Sequence, residues 1–364
     1  MTLKSILKRV YFLLLLPFRR SLYNHPLYNE ESSLKVFWYQ CKFIMKYSEP
    51  DAFYYLYDFP NKSVRERGEY IPYPLFRNER NKLNSRMNSY TGTEAIGFNY
   101  LSLLRDKFYF GQFLRSVGFN TPENYYLIDG PSASYFDLRS NSRKPLMRIS
   151  EEEVEAFCKI CIGECGRDIF AFKCQNGVMY INDNPITYHQ FQKIVEKGIF
   201  LVQSKVQNHP IINRLYDKSV NTLRIVTCKD RNGKCHVLSA VLRVGANGNT
   251  VDNWAAGGLV VGMDSNGRLK STASYEFLVN GKLTENIHPE TGMRFDEITI
   301  PYYKAALQAS RELHELFYGI STIGWDVAIT ESGPCFIEGN DNYEISLNQV
   351  ADCGLWQRWK ELYN

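Results

Sequence analysis

Four dipeptides, Asn176-Gly177, Asn232-Gly233, Asn266-Gly267 and Ser332-Gly333, each sit between two short runs of alternating apolar residues. The paired runs are 170–173 with 178–181, 223–228 with 236–244, 259–263 with 269–272, and 326–330 with 335–338. Asn-Gly in this setting is the strongest local hairpin signal, because a tight two-residue turn needs positive φ at both positions. A chain with this punctuation is committed to antiparallel sheet, so the expected class is α+β and not a doubly wound parallel sheet. Helical periodicity fills the remainder. It is seen over 34–47, over 106–117 (Phe110, Phe113, Leu114 and Val117 on one side, an exit at Gly118 and Thr121-Pro122), and over 301–318, with Pro301 in the first turn and Gly319 past the end.

At 364 residues the chain is long enough for two or three domains, each with its own core. A formal net charge of +4 with no long basic block excludes a nucleic-acid binder. Nine cysteines without a framework, six histidines and no secretory signal predict a reduced, cytoplasmic chain. Residues 11–18 form an apolar run flanked by Lys4, Lys8, Arg9, Arg19 and Arg20. It is far shorter than the ~20 residues a membrane span requires. Residues 3–20 are therefore expected either as a helix packed on the body or as a peripheral contact with the inner membrane face.

Four motifs carry the chemistry. In the first, Lys159 is followed by Gly163 and Gly166, a glycine-bearing loop through which backbone N–H groups could approach phosphates. The same stretch also reads as a helix, with a Ser150/Glu153 capping box and Val154, Phe157, Cys158 and Cys161 at helical spacing; Lys173 then becomes the phosphate lysine. In the second, Asp326 starts one hairpin strand while Glu338 and Asn340 end the other. Three oxygen side chains converging on a rigid hairpin suit Mg²⁺. The third is Ser219-Val-Asn221-Thr-Leu-Arg224 returning as Val241-Leu-Arg243, whose two arginines can meet across the hairpin and clamp a phosphate or carboxylate. The fourth, Asp252-Asn253-Trp-Ala-Ala-Gly257-Gly258, reads as a tight loop. Cys158, Cys161, Cys165 and Cys174 have a spacing an iron–sulfur or zinc site could use, but no second pair follows, and small thiols in a reduced core are the expectation.

In this order the motifs resemble the ATP-grasp superfamily. The phrases Ser-Val-Asn-Thr-Leu-Arg, Asp-Asn-Trp-Ala-Ala-Gly-Gly and Gly-Trp-Asp-Val-Ala-Ile-Thr are more narrowly similar to its sugar-transfer-associated branch, over roughly residues 105–364. The resemblance implies two α+β subdomains with antiparallel sheets sandwiching ATP, spanning 101–200 and 201–364, behind a mostly helical extension at 1–100. It favours Lys159 over Lys173 and implies roles residue by residue. Lys107 would touch the α-phosphate, and Lys159 would bridge phosphates beneath the Gly163/Gly166 loop. Gln203 and the backbone near Val206 would hold adenine, and His209 would reach the ribose. Asp326, Glu338 and Asn340 would hold Mg²⁺, while Arg224 and Arg243, with Asn340, would face the γ-phosphate and an acyl phosphate. Asp168 stands where a third glycine is usual. The implied reaction is an ATP-dependent ligation of a small carboxylate to an amine, thiol or sugar acceptor in surface-glycan building. A kinase acting on a sugar hydroxyl and a non-catalytic assembly scaffold are the rivals.

Overall fold

The computed structural model describes residues 3–90 (side chains to 86), 99–163 and 168–363. Its frame is two antiparallel sheets. The first holds β1 (Asn124–Asp129), β2 (Ser134–Asp137), β3 (Ser142–Pro145), β4 (Val154–Ile160), β5 (Ile169–Gln175), β6 (Val178–Ile181), β7 (Asn184–Ile186) and β8 (Ile199–Ser204), in the order β3-β2-β1-β8-β4-β5-β6-β7. The second holds β9 (Thr222–Lys229), β10 (Cys235–Val244), β11 (Leu259–Met263), β12 (Leu269–Val279), β13 (Lys282–Glu285), β14 (Thr322–Thr330) and β15 (Gly333–Asn340), ordered β13-β12-β11-β10-β9-β14-β15. The four expected hairpins are β5–β6, β9–β10, β11–β12 and β14–β15.

Only at Asn176-Gly177 do both turn residues take positive φ (52° and 76°); in the other three turns only the glycine does. There a neighbouring side chain closes the loop. Asp230 Oδ1 accepts from the N–H of Asn232 and Lys234, Asp264 Oδ1 from Asn266 and Arg268, and Thr330 Oγ1 from Ser332. Two further hairpin turns, Asn182-Asp183 and Asn280-Gly281, have positive φ at both residues. They join β6 to β7 and β12 to β13.

The helical reading of 151–165 is overturned. Residues Val154–Ile160 are strand β4, paired with β5 on one side and β8 on the other. The supposed capping box serves other ends: Ser150 Oγ donates to the Met147 carbonyl, and Glu153 accepts from the Asn176 N–H. Alternation then puts Val154, Ala156 and Cys158 into the core of the first sheet, which packs on helix Tyr188–Val195 through Phe191 and Val195. Strand β8 lies in the middle of this sheet, and the chain crosses to the second sheet only after Ser204.

One face of the second sheet buries Leu223, Ile225, Leu242, Ile323, Trp325 and Val327 against Ala306 and Leu313 of helix Tyr303–Leu316 and against Leu104, Phe110 and Leu114. Residues before 90 are helical, as expected, around an aromatic cluster of Tyr54, Tyr57 and Phe59. This extension is tied to the second sheet's far end. The buried Gln349 side chain accepts from the Ile71 N–H and donates to the Ile71 carbonyl and the Tyr57 hydroxyl. Arg80 donates to the Tyr343 carbonyl and to Asn342.

Candidate active site

The β14–β15 hairpin builds the site, and a bulge decides which side chains it presents. From the turn inward the register pairs Thr330 with Gly333 and Val327 with Phe336; it then slips by one, so that Asp326 faces Glu338 and Gly324 faces Asn340. Without the bulge, Ile337 would stand opposite Asp326, and Glu338 would point into the core. With it, the Asn340 amide donates to Glu338 Oε1 at 3.2 Å and to Asp326 Oδ2 at 3.5 Å. The three expected oxygen side chains are together.

The two arginines are beside them, but they do not face open space. Arg224 lies directly opposite Asp326 on β9 and donates Nε to Oδ1 at 2.6 Å and Nη2 to Oδ2 at 3.2 Å. Arg243 Nη2 lies 3.0 Å from Asp326 Oδ2 and 3.3 Å from Asp252 Oδ1. Thr222 joins them, donating N–H and hydroxyl to Asp252 Oδ2 and accepting from Arg243. The pairing expected across the β9–β10 hairpin is therefore mediated by buried acids. Asp252 and Thr222 are site residues the sequence reading missed, although Asp252 opens a motif it had marked as a loop. That loop is tight: Asn253 caps the single turn Trp254–Ala256, and Gly257 leaves it at φ +92°.

Burial opposes the charge on Asp326, yet Arg224 and Arg243 outweigh it and hold the carboxyl down at about 2. Burial and then the Asp326 charge push Glu338 above the usual carboxylate range, despite Lys107 and Lys159 nearby. Burial lowers the Lys159 ammonium to about 8, with Glu338 pulling the other way. Two adjacent carboxylates, one raised by burial and by the charge of the other, with an amide between them, are a donor set that fits an added oxygen-seeking cation. The fit is best at Glu338 and Asn340, since Asp326 is already doubly paired.

Lys159 comes from the first sheet, near the end of β4, and is buried. Lys107 follows its N-cap Asp106 and donates Nζ to the Gly163 carbonyl at 2.8 Å. It is thus tied to the glycine loop, where the expectation had put it on a phosphate. Lys173, on β5, lies over the Tyr180 ring. Gly166 and Cys165 lie outside the described residues. Asp168, at the missing third glycine, takes φ +57°, the conformation a glycine would supply, and pairs with Lys197.

Where the chain leaves the first sheet a cleft of about 540 Å³ is lined by Thr121, Ser204, Val206, Asn208, Ser332 and Cys335, among others. Val206 is among its lining residues. Gln203 is buried one residue before Ser204 and spends its amide N–H groups on Asn124 Oδ1 (2.8 Å) and the Pro122 carbonyl (3.3 Å). His209 caps helix Pro210–Asn213, its Nδ1 accepting from Ile211, so the imidazole has a structural duty in place of a free one. Cys158 and Cys174 are core thiols raised by burial; among the described residues no three His, Cys, Asp or Glu side chains form a metal cage.

Among solved structures, the chain is similar to N5-carboxyaminoimidazole ribonucleotide synthetase from Thermotoga maritima (14% identity, TM-score 0.37, 70% of this chain and 48% of that one). It is also similar to VanG D-Ala:D-Ser ligase from Enterococcus faecalis (11%, 0.37, 71% and 59%) and to L-amino acid ligase from Bacillus licheniformis (12%, 0.34, 72% and 47%). The chain thus spans about half the length of these structures. No curated protein matches it. The profile of the sugar-transfer associated ATP-grasp family matches residues 86–363, which takes in both sheets and every residue of the hairpin site, and the chain belongs to that family.

Proposed function

We propose that the chain is an ATP-dependent ligase that activates a small carboxylate as an acyl phosphate and passes it to an amine acceptor. The observation that carries this reading is that the charges of Lys107 and Lys159, from the first-sheet side, bear on buried Glu338, which stands with Asn340, Asp326 and two arginines on the second sheet. ATP would lie between the sheets, its base in the cleft beside Ser204 and Val206 and its phosphates toward Lys159. The Gly163–Gly166 loop would cover those phosphates.

The substrate carboxylate oxygen attacks the γ-phosphorus, the bond to the β,γ-bridging oxygen breaks, and ADP leaves. The acceptor nitrogen then attacks the acyl carbon, a proton is lost, and inorganic phosphate is expelled as the amide forms. Such a reaction needs positioning and charge stabilisation more than a protein nucleophile. Lys159 and Lys107 supply fixed positive charge to the phosphates. Arg243, held between two acids, is the guanidinium best placed to turn toward a transferring phosphoryl group or an acyl phosphate, whereas Arg224 orients Asp326. Glu338 and Asn340, with Asp326, would hold Mg²⁺, which when bound would neutralise phosphate charge. A sugar-linked carboxylate or acceptor is the substrate class that accords with the family's description as sugar-transfer associated, and surface-glycan building is the setting we propose for it.

The test is ATP-dependent phosphate release with Mg²⁺ across a panel of uronic acids, amino acids and amino sugars, with the product identified by mass. Release of phosphate with a new amide or thioester supports the ligase. Phosphate retained on a sugar hydroxyl would make the protein a kinase. Absence of ATP binding would leave a scaffold.

A further inference from the structure

Helix Leu3–Leu15 is amphipathic in the wrong sense for a globular surface. Its polar side faces the protein: Ser5 bonds the Ser48 hydroxyl at 3.0 Å, Lys8 pairs with Glu49, and Arg9 donates to Ser48. Leu3, Leu7, Val10 and Leu14, at i, i+4, i+7 and i+11, form a single stripe on the opposite side, and all four are exposed. Leu7 and Leu14 are 61% and 68% exposed, and Phe18, just beyond, 84%. The helix Ser33–Tyr47 beside it buries Val36, Phe43 and Ile44 on its inner side, yet Leu34, Trp38 and Met45, at i, i+4 and i+11, are exposed on the other, Trp38 by 59%. A surface helix normally turns its stripe inward, so the outward stripe of Leu3–Leu15, extended by the exposed apolar side chains of its neighbour, needs a partner.

Charge identifies the partner. Residues 1–46 hold eight Lys or Arg against Glu30 and Glu31, a net of +6 in a chain whose total is +4, so the remaining residues carry −2. The first twenty residues contain no acid at all, and Lys4, Arg19 and Arg20 are exposed around the first stripe. Apolar side chains rimmed by cations, with an exposed tryptophan, match the boundary between acyl chains and anionic headgroups. Among the described residues no helix is long and apolar enough to cross a membrane, so the contact lies along the surface.

We infer that helices Leu3–Leu15 and Ser33–Tyr47 form one docking face for an anionic lipid bilayer, through which the protein sits peripherally on a membrane. This inference does not depend on the ligase reading.

The experiment is co-sedimentation of the full chain with vesicles of phosphatidylcholine alone and of phosphatidylcholine mixed with phosphatidylglycerol. Binding to the mixed vesicles is expected, weak on the neutral ones, and lost at high salt. The double variant Leu7→Glu/Leu14→Glu, with a melting curve like wild type, should lose affinity by about tenfold or more. A vesicle-induced blue shift in tryptophan emission should vanish in Trp38→Phe. Failure of the folded wild type to bind the mixed vesicles would overturn the inference, as would equal binding by the double variant. So would a concentration-dependent dimer, dissolved by the double variant without vesicles, because the stripes would then be covered by a second copy.

Discussion

Arg224 and Asp326, 102 residues apart in sequence, stand directly opposite each other on adjacent strands, and the guanidinium holds both carboxylate oxygens at 2.6 and 3.2 Å. This separates Asp326 from Glu338, which the sequence alone treats as equals. Asp326→Asn leaves two buried guanidinium groups without their shared charge and should destabilise the fold by ~3–5 kcal/mol. Glu338→Gln removes a carboxylate whose charge is already disfavoured, so it should melt at or above the wild-type temperature. It should also retain nucleotide and slow turnover by ~10²–10³-fold. Melting curves and turnover of the two variants decide the point, and equal destabilisation would refute the distinction.

Nucleotide affinity should depend on Lys159 and not on Lys173. Lys159 is buried with its nearest charges at Glu338 and Lys107, while Lys173 lies on the Tyr180 ring. Titration calorimetry with ATP is expected to show a loss on the order of tenfold or more for Lys159→Met and little change for Lys173→Met. The reverse order would move the phosphate site along the first sheet.

Acid should destabilise the second sheet through His314. Its Nε2 donates to the Ile320 carbonyl, its Nδ1 accepts from Thr227, and Thr227 in turn accepts from the Trp325 indole. Burial, with Lys229 nearby, lowers this imidazole to about 3. The unfolded chain therefore takes up the proton first, and stability present above pH ~6.5 is lost as pH falls toward 3, at up to ~1.4 kcal/mol per pH unit from this group. Urea unfolding from pH 7 to pH 5 should show the decline. His314→Gln, less stable at pH 7, should have a flatter profile.

Gly324, opposite Asn340, leaves no space for a side chain: a Cβ there would lie 2.7 Å from Cβ and Cγ of buried Tyr343. Gly324→Ala should cost ~1–3 kcal/mol, measured by thermal unfolding. Gly198→Ala, whose Cβ would meet only Ile160 at 3.4 Å, should be close to wild type.

The hairpins were legible because turn residues and period-two alternation are local signals. Strand β4 was not, because Val154, Phe157, Cys158 and Cys161 satisfy a helical period while Val154, Ala156 and Cys158 satisfy a strand's, and only pairing with β8, some forty residues later, decides between them. The convergence of Asp326, Glu338 and Asn340 was reached by an incomplete argument. Counting from a two-residue Ser332-Gly333 turn sets Gly339 opposite Asp326, whereas the strands close at Thr330 and Gly333 and then bulge at Ile337, and that bulge has no turn residue to announce it. Asp252 escaped because its role depends on Arg243 and Thr222, which reach it only once the sheet is assembled.

The Gln349 side chain bonds both backbone groups of Ile71 across 278 residues of chain. Strand β9, in the middle of the second sheet, likewise finds its β14 neighbour only about a hundred residues further on. During synthesis, then, the ribosome releases Arg224 well before Asp326, the acid that neutralises it, and the aromatic extension waits longer still for its anchor. Until then the nascent chain carries an open β9 edge and an unmatched Arg224, a stretch of translation in which pairing with the wrong strand is the main hazard.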